Sequence, residues 1–293
     1  MTRSSPEAEP QCPGRCLESL GLHDDPISNP LIYPGRRPQE SGLLANECFL
    51  SLHDDGTNQV GRWLLDITAW ALMEGAWDGA KRVPLDEVLR RLDQPPISER
   101  HPVLAVGSNA SPGQLEQKFA ARSVRPIVPM TLAVVHGIIP GVSAHVSRSG
   151  YVAGTPVSEP GAASLLFVLW LSDNQLRAID LTEPNYHRIL LPVSHFSIEL
   201  AGRWALDSCW AYASKHGCLT DPSGAPRRLP PQPALLKSLL ADIPTLRDLC
   251  GPTPEAFVRA ARDPSIREHV RRLFQQEGLV LNQPEMAALT SHP

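Results

Sequence analysis

Residues 101–119, HPVLAVGSNASPGQLEQKF, constrain the fold more than any other stretch of the sequence. Residues 103–106 form an unbroken apolar run, which predicts a short buried strand, and Gly107-Ser108-Asn109 predicts a tight turn after it. Ser111 is placed to cap a helix, because its side-chain oxygen can accept a hydrogen bond from an amide one turn further on. Pro112 follows at the first helical position, where its missing N–H costs nothing. The stretch therefore predicts a strand, a turn and a helix.

A turn that leads into a helix presents backbone N–H groups at the positive end of the helix dipole. Such a junction can bind an anion, for example a carboxylate or a phosphate. This turn lacks the Gly-Lys-Ser/Thr and the Gly-x-Gly-x-x-Gly sequences of the common nucleotide-binding patterns. Many strand–turn–helix junctions bind nothing, so assigning a function needs a second motif.

The second motif lies downstream, in the sequence IDLTEPNYHR of residues 179–188, and a strand-like run over residues 189–193 follows it. Together the two stretches resemble the γ-glutamylcyclotransferase superfamily. The first matches that family's Tyr-Gly-Ser-Asn turn with Val106-Gly107-Ser108-Asn109. The second stretch corresponds to the family's second motif with Ile179-Asp180, Glu183, Tyr186 and Arg188. Residues 154–157 and 165–170 are similar to the family's inner strands and residues 209–213 to its last strand, so the resemblance covers roughly residues 101–215.

The resemblance implies an α+β fold, a small mixed β-barrel with helices packed outside it. It also implies an enzyme that releases 5-oxoproline and a free amine from a γ-glutamyl amine, peptide or metabolite, with no metal or cofactor. Glu183 corresponds to the glutamate that acts as general base and then general acid. The expected substrate-binding residues are Val106, Gly107, Ser108, Asn109, Tyr186 and Tyr212. We expect Arg188 to form an ion pair with Asp180 or Glu199, and His187 to point away from the site.

Because the sequence departs from the family pattern at two positions, it does not identify the substrate. Val106 stands where the family usually has tyrosine, so one pocket wall or hydrogen bond is missing, and Pro184 directly follows the glutamate. One alternative is an amide-forming or acyl-transfer enzyme of a specialised pathway on the same fold. Another is a non-catalytic ligand-binding or assembly protein. A Glu183 side chain that faces inward would favour an enzyme; one facing solvent, or a cavity filled by the C-terminal region, would favour a binding protein.

The remaining sequence predicts three further segments. Residues 1–40 are rich in proline, serine and charge and predict a flexible or extended arm. Residues 41–100 predict a helical preface, because Asn58 can cap a helix and apolar residues from Val60 to Met73, with Trp63 and Trp70 on one face, recur at helical spacing. A second short helix is expected over residues 85–92. Residues 216–293 predict a proline-rich loop and a helical C-terminal extension, which could form a homodimer. Residues 101–215 are the predicted barrel domain.

Composition narrows the class of protein. The net charge is −4, so no basic field favours nucleic acid, and the sequence has no apolar run long enough to cross a membrane. The first residues lack the apolar core of a secretory signal, which predicts a cytoplasmic protein. The six cysteines fit neither a zinc site nor a dense disulfide framework, so we expect reduced thiols, with a transient Cys12–Cys16 pair as the alternative. No histidine spacing indicates a metal site.

Overall fold

The computed structural model describes Cys12 and residues 14–70 and 80–289. Its strands are β1 (Gly42–Ala45), β2 (Cys48–His53), β3 (Leu64–Asp66), β4 (Arg82–Pro84), β5 (His101–Ala105), β6 (Ile127–Val146), β7 (Val152–Leu171), β8 (Tyr186–Leu191), β9 (Ile198–Leu200), β10 (Trp204–Ala205), β11 (Cys209–Ser214), β12 (Cys218–Leu219) and β13 (Val280–Leu281). Its helices are α1 (Leu85–Arg91), α2 (Pro112–Ala120), α3 (Asp173–Asp180), α4 (Gln232–Asp242), α5 (Pro244–Cys250), α6 (Pro254–Ala260), α7 (Pro264–Gln276) and α8 (Pro284–Ala288).

The strands form one large mixed sheet, as the predicted α+β class requires. Hydrogen-bonded neighbours run in the order β4-β3-β2-β1-β6-β7-β5-β11-β8, with the short strands β9, β10, β12 and β13 paired to one side of this path. β6 and β7 form a long antiparallel hairpin, and β5 pairs in parallel with β11. No pairing among the described strands joins β4 to β8, so these pairings do not establish the closed barrel that the resemblance implied.

The strand–turn–helix predicted for residues 101–119 is present, with β5 as an inner strand of this sheet. β5 is buried on both faces between β7 and β11, which explains its unbroken apolar run. α2 begins at Pro112 and packs Leu115 and Phe119 against one face of the sheet, beside Ile179 of α3. Ser111 holds the N-cap position, but the prediction that its side chain caps the helix is wrong. Its hydroxyl is buried and has no hydrogen-bond partner among the described residues, and a β-carbon added to Gly35 would lie 2.8 Å from it.

Residues 41–100 differ from the predicted helical preface. The predicted helix from Asn58 is wrong over the described residues: a single 3-10 turn, Val60–Arg62, is followed by β3. β3 pairs with β2 on one side and β4 on the other, and pairing between distant segments leaves no trace in local periodicity. Trp63 and Trp70 are both buried in the core, and Met73 lies outside the described residues. The second short helix is present as α1.

The N-terminal segment, residues 14–40, packs on the sheet instead of extending as an arm. Leu17, Leu22 and Tyr33 are buried, and the backbone N–H of Phe49 donates to the carbonyl of Arg15. The expectation of six reduced cysteines is also wrong, because Cys12 and Cys48 form a disulfide across a sequence separation of 36 residues. Spacing along the sequence could not predict this pair, since it forms where the segment runs beside β2.

The C-terminal extension is helical, as predicted. α4 to α7 bury Leu236, Leu239, Phe257 and Phe274 against the distal half of the β6–β7 hairpin. No helix within residues 14–70 and 80–289 combines the length and the apolar character that a membrane span needs. The boundaries proposed at residues 40, 100 and 215 stay predictions.

Candidate active site

A cavity of about 610 Å³ opens where the turn after β5 faces the end of α3. Its walls are formed by the turn at residues 107–109, the last turns of α2, the loop at residues 181–186 and the tip of the β6–β7 hairpin, together with residues of the N-terminal segment and of β11. The side chains that line it include those of Tyr33, Val106, Ser108, Asn109, Lys118, His145, Tyr151, Glu183, Tyr186 and Tyr212.

Glu183 lies just past the end of α3 and faces into this cavity. Ser172 and Gln175 form a capping box that fixes the start of α3, and Pro184 prevents the helix from continuing beyond the glutamate. The Glu183 side chain is only 12% exposed. Its Oε1 accepts hydrogen bonds from Lys118 Nζ at 2.7 Å and from Asn109 Nδ2 at 3.2 Å. The two motifs that are separated in the sequence therefore meet at this carboxylate.

Lys118 completes a closed set of three polar side chains. Its Nζ donates to Asn109 Oδ1 at 2.7 Å as well as to Glu183, and its side chain is 9% exposed. Both polar atoms of the Asn109 side chain are thus used within the set, which holds the Glu183 carboxylate in one orientation. Our sequence analysis missed Lys118. It lies three residues after the buried Leu115 and so on the inner face of α2, which is the signal that could have revealed it.

The anion-binding part of the prediction needs a correction. Gly107, Ser108 and Asn109 line the cavity, but the first turn of α2 does not. The Gly113 N–H donates to the carbonyl of Leu22 at 3.1 Å, because the N-terminal segment covers this end of the helix. Any anion in the cavity would therefore meet the turn and the side of α2, including Lys118, and not the helix N-terminus.

All four tyrosines of the chain line the cavity. The hydroxyls of the two predicted ones are used within the fold: Tyr186 donates to the Gly154 carbonyl at 2.8 Å and Tyr212 to Asp180 Oδ1 at 2.7 Å. Burial raises the pKa of both hydroxyls, so both stay protonated. These two tyrosines therefore offer ring surface to a ligand.

The neighbouring charged residues follow the sequence analysis. Arg188 pairs with Asp180 at 3.0 Å, one of the two partners expected, and its guanidinium also lies 4.8 Å from the ring centre of Trp210. His187 is exposed on the other face of β8.

The sequence analysis did not place Tyr33, Tyr151 or His145 in the site. His145 is buried in β6, with Nδ1 2.6 Å from the Ser143 hydroxyl and its ring edge-on to Tyr186. Burial, reinforced by His216, lowers the pKa of His145 to about 3, so the imidazole is neutral at pH 7. No local signal distinguishes this histidine, because the hairpin fold brings it to the cavity. Within the described ranges, His, Cys, Asp and Glu side chains form no group of three or more that could hold a metal ion.

The lowered pKa of His145 predicts that acid destabilises the protein through this residue. Between pH 6.5 and pH 3 the unfolded chain binds a proton at position 145 that the folded chain does not, so stability falls with pH in this range. Lowering the pH from 7 to 5 should cost about 2 kcal/mol more in the native chain than in His145→Asn. Urea unfolding of both proteins at the two pH values measures this difference. Equal pH dependence in the two would contradict the prediction.

Comparison with known proteins adds the following. No protein-family model matches the chain, and no curated protein matches it in sequence. A solved structure of a gamma-glutamyl cyclotransferase is 14% identical with a TM-score of 0.34, covering 59% of this chain and 99% of that one. An uncharacterized protein from Homo sapiens is 14% identical with a TM-score of 0.33, covering 66% and 99%. A protein from Arabidopsis thaliana is 18% identical with a TM-score of 0.30, covering 39% of this chain and 62% of that one.

A gamma-glutamyl cyclotransferase is thus among the solved structures to which this chain is similar, as its two motifs predicted.

Proposed function

We propose that this protein is a γ-glutamyl cyclotransferase-like enzyme that releases 5-oxoproline and a free amine from a γ-glutamyl amine, peptide or metabolite. One observation carries the proposal. The buried Glu183 carboxylate and the Gly107–Asn109 turn line the same cavity and are joined by a hydrogen bond of 3.2 Å. The Glu183 carboxylate, which is suited to proton transfer, and a backbone turn suited to binding a substrate carboxylate therefore lie within reach of one small substrate.

The proposed reaction is an intramolecular displacement. The α-amine of the γ-glutamyl group attacks its own γ-carbonyl carbon, a five-membered ring closes, and the bond to the leaving amine breaks. Glu183 accepts the proton that the attacking nitrogen loses and then donates it to the leaving nitrogen. Ring closure needs no second reactant, so the protein's tasks are to fold the substrate and to transfer the proton.

The walls of the cavity suggest how the substrate lies. The α-carboxylate would bind at the backbone of Gly107, Ser108 and Asn109, on the side of the cavity where Lys118 supplies a positive charge. Val106, Tyr186 and Tyr212 would contribute contact surface. In this arrangement the α-amine would lie towards Glu183.

Two observations support an enzyme over a binding protein. The Glu183 side chain faces inward and is mostly buried. The described residues that line the cavity include none beyond Tyr212, so the C-terminal extension does not fill it. An enzyme needs the cavity open and the carboxylate oriented, and both conditions are met.

The test is product detection. Purified protein is incubated with a panel of γ-glutamyl amines and γ-glutamyl dipeptides, and 5-oxoproline and the free amine are quantified by mass spectrometry. We expect the two products in equal amounts from at least one member of the panel. Absence of 5-oxoproline across the panel would refute cyclotransfer and favour the acyl-transfer alternative, which the same samples test once a second free amine is added, because moving the γ-glutamyl group to that amine releases the first amine and needs no further reactant.

A further inference from the structure

Tyr33 reaches the candidate active site from the N-terminal segment, far from either motif in the sequence. Its side chain is 3% exposed, and its ring stacks on that of Tyr151 with a centroid distance of 4.2 Å. The structure thus places an aromatic residue from outside residues 101–215 against the turn that would hold the substrate.

The Tyr33 hydroxyl lies directly over that turn. A β-carbon added to Gly107 would come within 2.5 Å of the hydroxyl oxygen, so the phenol occupies the space beside the turn that a side chain there would need. The backbone N–H of Gly154 donates to the same oxygen at 2.6 Å. The hydroxyl is therefore fixed in position through its oxygen.

The hydrogen of this hydroxyl is available for a ligand. A phenol that accepts a hydrogen bond still has its own O–H to donate. Burial, together with the nearby charges, raises the pKa of Tyr33 well above its ordinary value, so the group stays protonated. Tyr186 and Tyr212 donate within the fold, whereas no acceptor for the Tyr33 hydrogen is found among the described residues.

The C-terminal extension holds Tyr33 in place without touching the cavity. The N–H of Gln232, at the start of α4, donates to the Tyr33 carbonyl at 3.1 Å. Leu31, in the 3-10 turn Pro30–Ile32 just before Tyr33, packs against the apolar cluster of α4 to α7. On the other side, Gly35 packs against Ser111 at the start of α2. Both ends of the chain thus fix one residue of the site.

We propose that Tyr33 is a substrate-binding residue whose hydroxyl donates a hydrogen bond to the substrate carboxylate held at Gly107–Asn109. This inference rests on the proposed function. It supplies the group that Val106 lacks: the missing tyrosine is provided from the N-terminal segment. It also implies a role for the C-terminal extension, because α4 fixes the position of Tyr33.

The first measurement is equilibrium binding of γ-glutamyl-L-alanine to the full chain carrying Glu183→Gln, in which we expect turnover to be strongly slowed. Adding Tyr33→Phe keeps the ring stacked on Tyr151 and removes only the hydroxyl. Loss of a hydrogen bond to a charged group should raise the Kd by about 10- to 100-fold. Thr131→Val in the same background is the control, because it removes a buried hydroxyl that bonds to Trp170, away from the cavity, and should leave the Kd unchanged.

A second measurement reports on the hydroxyl itself. With four tyrosines in the chain, labelling tyrosine with ¹³C at the ring carbon that bears the hydroxyl gives four NMR signals, and the one absent from Tyr33→Phe belongs to Tyr33. γ-Glutamyl-L-alanine should shift that signal. An unchanged Kd in Tyr33→Phe, an unshifted signal, or no binding of the dipeptide would each overturn the inference.

The same experiments separate this inference from the proposed function. Binding with a shifted Tyr33 signal, combined with no 5-oxoproline from the native chain, would refute cyclotransfer and leave Tyr33 as a ligand-binding residue. Release of 5-oxoproline with equal KM in the native chain and Tyr33→Phe would support the proposed function and refute the role of Tyr33 in substrate binding.

Discussion

Glu183→Gln should lower the rate of 5-oxoproline release by about 10²- to 10⁴-fold, the range that a positioned general acid–base group contributes. The glutamine has the same shape, and its amide oxygen can still accept from Lys118 and Asn109, so the cavity should keep its form. What it loses is the ability to take a proton from the attacking amine and return it to the leaving one. The effect should therefore fall on kcat, with KM little changed.

The comparison uses purified native chain and Glu183→Gln on the best substrate of the panel, with thermal unfolding of both to verify folding. Glu159→Gln is the matched control. Glu159 forms an ion pair with Arg228 at 2.7 Å outside the cavity, and its replacement should leave kcat unchanged. If a folded Glu183→Gln retained the native kcat, Glu183 would not be the proton-transfer group, and the mechanism would need another base.

Local patterns predicted the centre of the fold well. The strand, turn and helix of residues 101–119 are encoded by nearest neighbours: an apolar run, a Gly-Ser-Asn turn and a proline at the first helical position. The start of α3 is equally local, because Ser172 and Gln175 form a capping box; the helix ends at Asp180, before Pro184 is reached. These are the two elements that carry the motifs, but local patterns did not show that Glu183 faces the turn; only the family resemblance implied that both belong to one site.

The parts that the sequence did not reveal depend on contacts between distant segments. β3 was mistaken for helix because its partners, β2 and β4, are identified only by pairing. Tyr33 enters the site from a proline-rich stretch that has no periodicity. The apolar residues Leu31, Ile32 and Tyr33 suggest that this stretch contacts the body of the protein, but neither residue types nor spacing could indicate that it lies between α2 and α4.

Lys118→Met should destabilise the fold by about 3–5 kcal/mol, because it leaves the Glu183 carboxylate buried without its counter-charge. The pair is well shielded from solvent: the lysine side chain is 9% exposed and the glutamate 12%. A methionine can fill the volume of the lysine stem but cannot donate to Glu183 or to Asn109. The carboxylate then also loses its fixed orientation, so we expect a lower kcat in addition to the lower stability.

A double-mutant cycle separates the charge from the packing. Urea unfolding is measured for the native chain, Lys118→Met, Glu183→Gln and the double variant, with Lys237→Met, an exposed lysine of α4, as the control for the substitution itself. Because the double variant buries no unpaired charge, it should be more stable than Lys118→Met alone. Its kcat should stay at the level of Glu183→Gln, because the charge of Lys118 towards the substrate carboxylate acts on binding and therefore on KM. Additive losses of stability would mean that Lys118 and Glu183 do not interact in the fold, and a further loss of kcat in the double variant would mean that Lys118 contributes to catalysis independently of Glu183.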